Sequence, residues 1–102
     1  MGVAIQVLSK STLRAFWQKH PQARVPLETW YASARAARWT QPAEIKRVFG
    51  ANVDFVGDSR AIFDIGGNKY RIVAHIAFDW HQVMIKFVGT HAEYDRINPE
   101  TV

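Results

Sequence analysis

The 102-residue chain contains no cysteine. That excludes disulfides and thiolate metal sites, and it suits a reducing cytoplasm. Long apolar runs are missing as well. None approaches the roughly 20 residues needed to span a bilayer, so no membrane partner is expected. The opening MGVAIQVLSK lacks a basic leader and a small-residue cleavage site, and it reads as a mature strand. Repeats and low-complexity segments are absent. So are HExxH, CxxC, a serine elbow and the GxxxxGK[ST] phosphate loop. Gly66-Gly67-Asn68-Lys69 precedes a strand, not a helix, so it is no substitute for that loop. The four histidines, His20, His75, His81 and His91, are scattered without i, i+4 spacing. Neither a metal site nor a cofactor is expected.

What is present suffices for one domain over residues 1–102. Hydrophobic residues make up 48% and aromatics 13%, which gives a chain of this size a real core. Net charge is +4, unevenly placed. Residues 1–50 hold eight Lys/Arg against two Asp/Glu (+6), and residues 51–102 hold five against seven (−2). A basic N-terminal half favours a polyanion such as RNA.

Periodicity gives the order of elements. Val3–Leu8 is a short β-branched run that reads as a strand. Ser9 or Ser11 offers a cap to a helix with Leu13, Phe16 and Trp17 on one stripe, stopped by Pro21. Leu27, Trp30, Tyr31, Ala34 and Ala37 repeat at helical spacing over Pro26–Trp39, with Arg24, Arg35 and Arg38 off the stripe. The two helices form an αα-hairpin. A shorter helical turn opens at Pro42, carries Lys46 and Arg47, and ends at Gly50. Asn52–Val56 alternates as a strand. Ala61–Ile65, Lys69–Phe78 and Val83–Thr90 form an antiparallel meander, and THAEYD closes it as a helical turn. The fold class is α+β.

Two-residue loops at Gly66-Gly67 and Trp80-His81 fix an expected register. Ile65 opposes Asn68, Phe63 opposes Tyr70 and Ala61 opposes Ile72. In the second hairpin Phe78 opposes Val83, Ile76 opposes Ile85 and Ala74 opposes Phe87. One face is then apolar: Phe63, Ile65, Tyr70, Ile72, Ile76, Phe78, Val83, Ile85 and Phe87. The other collects Asp64, Lys69, Arg71, Val73, His75, Lys86, Val88 and Thr90, with Arg71 opposite Thr90 and His75 opposite Lys86. This second face is expected to be open to water, and the tail after Ile97 frayed.

Metal-free cleavage of an RNA phosphodiester needs a base, an acid and a cation for the phosphorane. His91 is the natural acid–base candidate, Arg71 can grip a phosphate in bidentate fashion, Lys69 and Lys86 add positive potential, and Tyr94 can stack or pass a proton.

The segment FDIGGNKYRIVAHIAF…VMIKFVGTHAEYD closely resembles HigB-type toxins of bacterial toxin–antitoxin modules. The matching residues are Gly66, Gly67, Asn68 and Arg71, then Thr90, His91, Glu93, Tyr94 and Asp95. The KHPQA loop and Pro42, Ile45, Lys46, Val48 and Phe49 follow the same order. The resemblance implies a RelE-like fold and a metal-independent endoribonuclease acting on mRNA at the ribosome. It also implies a HigA-type helix-turn-helix antitoxin, with operator DNA reached only through that partner. Arg71, His91, Tyr94, Lys69 and Lys86 are the expected catalytic set. Asn68, Thr90, Arg24, Arg35, Arg38, Lys46 and Arg47 are the expected contacts to mRNA and ribosomal RNA. The rival is a non-catalytic RNA- or ribosome-binding module, or a co-repressor acting with its antitoxin.

Overall fold

The computed structural model describes residues 5–102. The expected first strand appears as β1, Gln6–Leu8; Val3 and Ala4 lie outside the described residues. Helix α1 (Lys10–Lys19) follows Ser9, whose φ of 74° turns the chain, although its hydroxyl makes no capping bond. Leu13 is fully buried, and Phe16 and Trp17 pack against the core. Pro21 ends this helix, and Pro21–Ala23 form one tight 3-10 turn. Helix α2 then runs Arg24–Ala36, earlier at both ends than Pro26–Trp39. The chain goes extended at Ala37, and Trp39 is buried from an irregular segment. Helix α3 (Pro42–Phe49) has proline in its first turn. The Glu44 carboxylate there reaches back to the amides of Thr40 (2.6 Å) and Gln41 (3.1 Å).

Strands β2 (Val53–Val56), β3 (Arg60–Ile65), β4 (Tyr70–Ala77) and β5 (Gln82–Thr90) follow, then the single-turn helix α4 (His91–Tyr94). The sheet order is β1-β5-β4-β3-β2. β1 pairs parallel with β5 and the other pairs are antiparallel. The helices cover one face. Leu13, Leu27, Trp30 and Ile45 meet Phe63, Ile72, Ile76 and Val83 there. The Phe63 ring is held edge-on by Trp30 at 5.2 Å and Phe49 at 4.9 Å. Each large apolar side chain buried in this way contributes about 1.5–3 kcal/mol.

The strand registers differ from the expected ones in two ways. First, both hairpin loops are four residues long. Ile65 opposes Tyr70, Phe63 opposes Ile72 and Ala61 opposes Ala74. In the second hairpin Ile76 opposes Val83 and Ala74 opposes Ile85. Each is a slip of two residues, which leaves the faces unchanged because side chains alternate with period two. Second, β5 carries a bulge opposite the Val73/Ala74 step, which leaves Lys86 unpaired. Beyond it the alternation reverses. Phe87 pairs with Val73 on the second face, while Val88 and Thr90 join Ile72 and Tyr70 on the helix-covered face. Arg71 therefore opposes Gly89, not Thr90, and His75 opposes Met84, not Lys86.

The second face is not open water either. Ile62, Val73 and Arg71 on it are buried. The chain after β5 folds back beneath it, and the tail is anchored rather than frayed. The Arg60 guanidinium donates to the carbonyls of Pro99 (3.2 Å) and Val102, and the Thr101 and Val102 amides donate to the carbonyl of Asn98.

Candidate functional site

Three consecutive residues with positive φ build the β3–β4 turn: Gly66 (63°), Gly67 (64°) and Asn68 (78°). Glycine and asparagine tolerate that region best, which explains the GGN run. Arg71, two residues inside β4, locks the turn. Its Nε–H donates to Asp64 Oδ1 at 3.0 Å. Nη1 donates to the carbonyls of Asn68 and Tyr70, both at 3.1 Å, and Nη2 donates to Asn68 Oδ1. Four of the five N–H donors of a guanidinium are thus engaged. Only 7% of Arg71 is exposed.

The same turn holds the C-terminal segment. The His91 amide donates to the Lys69 carbonyl at 3.0 Å, and the Tyr94 ring lies 5.8 Å from the Arg71 guanidinium carbon. Thr90 and Glu93 cap α4 reciprocally. The Thr90 amide donates to Glu93 Oε1 (2.8 Å), and the Glu93 amide donates to Thr90 Oγ1 (3.2 Å). That bond from Thr90 holds the Glu93 carboxyl below the usual glutamate range. Burial pushes the Tyr94 phenol above its ordinary value, opposed by the Arg71 cation. The phenol accordingly stays protonated near neutrality and is available to donate a hydrogen bond. His91 Nδ1 faces Asp95 Oδ2 at 3.4 Å, with both groups about half exposed.

The GGN turn and the THAEYD segment thus meet at one end of the sheet, with Lys69 exposed on the turn. Lys86 does not join them; it sits at the β5 bulge. The basic helical residues are dispersed. Arg24 pairs with Glu28 at 3.0 Å. Arg35 stands in the last turn of α2, about 17 Å farther along its axis. Arg38 and Arg47 flank a groove of about 500 Å³ beside Trp39 and Glu44. Lys46 Nζ donates to the Val53 carbonyl at 3.1 Å on the β2 edge. Among the described residues, no three His, Asp or Glu side chains gather as a metal site.

One part of this end escaped sequence reasoning. Lys19 and His20, at the end of α1, border a groove of about 240 Å³ whose other wall includes Val88 and Glu93. The His20 ring stacks on Phe16 at 4.4 Å, and Phe16 packs edge-on against Tyr70 at 5.7 Å. The available signal was the KHPQA loop, seventy residues before α4 in the chain and adjacent to it in space.

Residues 23–97 match the family model described as HigB_toxin, the RelE-like toxic component of a toxin–antitoxin system. The chain belongs to the HigB toxin family. Its relatives include the mRNA interferase HigB of Escherichia coli O6:H1, 26% identical over 94 residues and covering 91% of each chain. The mRNA interferase toxin HigB of Escherichia coli K12 and the mRNA interferase HigB of Shigella flexneri are each 28% identical over 92 residues. Those alignments span 89% of this chain and 88% of the relatives. The GGN turn and the THAEYD segment both lie within the matched residues and meet at the sheet end, joined by the Arg71 network and the Lys69–His91 bond.

Proposed function

We propose that this toxin is an endoribonuclease that cuts mRNA on translating ribosomes in the cytoplasm. Its partner would be a HigA-type helix-turn-helix antitoxin, through which it reaches operator DNA. The observation that carries the reading is the junction of the GGN turn with α4 in a family whose relatives are named mRNA interferases.

The proposed reaction uses protein groups. Neutral His91 takes the proton of a ribose 2′-hydroxyl as the 2′-oxygen attacks phosphorus. The P–O5′ bond breaks, and the Tyr94 hydroxyl delivers a proton to the departing 5′-oxygen. A 2′,3′-cyclic phosphate and a free 5′-hydroxyl result. Lys69 stabilises the charge on the non-bridging oxygens. Arg71 has one N–H to spare, so it acts mainly by fixing Asn68 and placing its charge behind Tyr94. Lys86, Thr90 and the basic helical residues contact RNA outside the scissile bond.

Induction of the chain in bacteria, followed by mapping of mRNA 5′ ends, tests the proposal. Codon-phased cuts should appear, vanish when initiation is blocked, and vanish in His91→Ala. A toxic His91→Ala chain with the same cuts sinks the assignment. A silent His91→Ala combined with loss of function on charge reversal at Arg35 and Arg38 favours the non-catalytic reading.

A further inference from the structure

The groove between α1 and α4 is separate from the Arg71–Tyr94 junction, yet Glu93 belongs to both. Its walls differ in character. One side is the imidazole of His20, held flat on Phe16 with 25° between the rings. Phe16 in turn abuts the buried Tyr70, so the stack stands on the core and not on a loop. The opposite wall is the Glu93 carboxylate, with Oε1 fixed by the Thr90 amide at 2.8 Å. Lys19 stands at the mouth, exposed. At about 240 Å³ the groove lies below the usual range for whole small-molecule ligands, and it suits one flat ring.

An aromatic platform, a fixed acceptor and a cation at the rim are the three elements of single-base recognition in RNA. We propose that this groove is a nucleobase subsite, taking a base next to the scissile phosphate. The base stacks beside His20. Glu93 accepts a hydrogen bond from an exocyclic amino group, which selects adenine, cytosine or guanine over uracil. Lys19 holds the adjoining phosphate. His91 and Glu93 are two positions apart on α4 and face different sides of it, so a strand crossing α4 meets the chemistry on one side and the subsite on the other. This subsite rests on the ribonuclease reading above.

The test is cleavage-site mapping and steady-state kinetics on a translating extract, with the full chain and three variants. Glu93→Gln keeps the reciprocal cap, because glutamine also accepts from Thr90, but turns the second acceptor oxygen into a donor NH2. It should shift the base preference at one fixed position beside the cut toward uracil. His20→Phe keeps the stack on Phe16 and should leave KM within twofold, whereas His20→Ala should raise KM about tenfold with kcat little changed, consistent with the ~1–3 kcal/mol of a base stack. Lys19→Ala should raise KM at low salt only. Thermal melts verify that each variant is folded. If wild type cuts but Glu93→Gln keeps its site preference and His20→Ala its KM, the subsite alone is overturned. A wild-type chain that cuts no RNA overturns the ribonuclease reading and the subsite with it.

Discussion

Replacement of Arg71 by alanine should unfold the end of the sheet that carries the candidate site before it says anything about chemistry. The side chain is 7% exposed and holds four hydrogen bonds, one of them an ion pair with Asp64, whose side chain is 24% exposed. Removing one partner of a fully buried pair costs about 3–5 kcal/mol. Asp64 retains some contact with water, which reduces that figure. The carbonyls of Asn68 and Tyr70 and the Asn68 amide lose their donor, at about 1 kcal/mol each where no water replaces it. These losses overlap, so the expected total is about 3–5 kcal/mol, and for a domain of this size that lowers Tm by roughly 12–40 °C. Arg71→Lys should recover less than half, because an ammonium cannot serve the fork of Asp64, Asn68 and backbone together. Asp64→Asn should lose about 1–2 kcal/mol, since the neutral amide still accepts from Nε. Calorimetric melts of the purified chain check all three. An Arg71→Ala protein melting within 3 °C of wild type refutes the account, and a loss of toxicity in that variant would then be attributable to the chemistry.

Other substitutions probe the parts around this network. Gly66→Ala should destabilise more than Gly67→Ala. Both adopt positive φ, at about 1–2 kcal/mol for alanine, but a methyl at 66 also meets the Tyr70 ring at 3.0 Å while one at 67 meets nothing. Denaturant titration ranks the two. Gly89→Ala drives a methyl to 2.5 Å from Phe87 Cζ and should lose about 1–3 kcal/mol; the double variant with Phe87→Leu should lose less than the sum. Phe63→Ala removes the ring shared by Trp30 and Phe49 and should cost about 3–5 kcal/mol by the same measurement. Acid should expose the two glutamate caps. Hydrogen bonds from Thr40 hold Glu44, and bonds from Thr90 hold Glu93, below the ordinary value of 4.5. Their contribution is therefore complete above about pH 4.5 and fades as pH falls through the lowered values. In a stability-versus-pH series Glu44→Gln should flatten part of that decline; an unchanged curve counts against the cap.

Local signals carried most of the architecture. Leu13, Phe16 and Trp17, then Leu27, Trp30 and Ala34, place two helices by spacing alone, because a helical stripe is a property of contiguous residues. Alternation in β3, β4 and β5 fixes which residues share a face, and that holds through a register slip of two. The family motifs mark both ends of the candidate site. What the chain could not show locally was the bulge at Lys86, which no turn residue announces and which sends Phe87 to one face and Val88 and Thr90 to the other. Nor could it show how far Arg71 is spent on its own turn, since a guanidinium reads the same in sequence whether it faces a phosphate or a carbonyl. The nearness of His20 to Glu93 is likewise a product of folding. It depends on α1 packing beside β5 and on the parallel pairing of β1 with that strand, contacts between segments some seventy residues apart. Periodicity determined the elements and, up to the β5 bulge, their faces; only long-range packing decided which polar groups are left with donors and acceptors to offer a ligand.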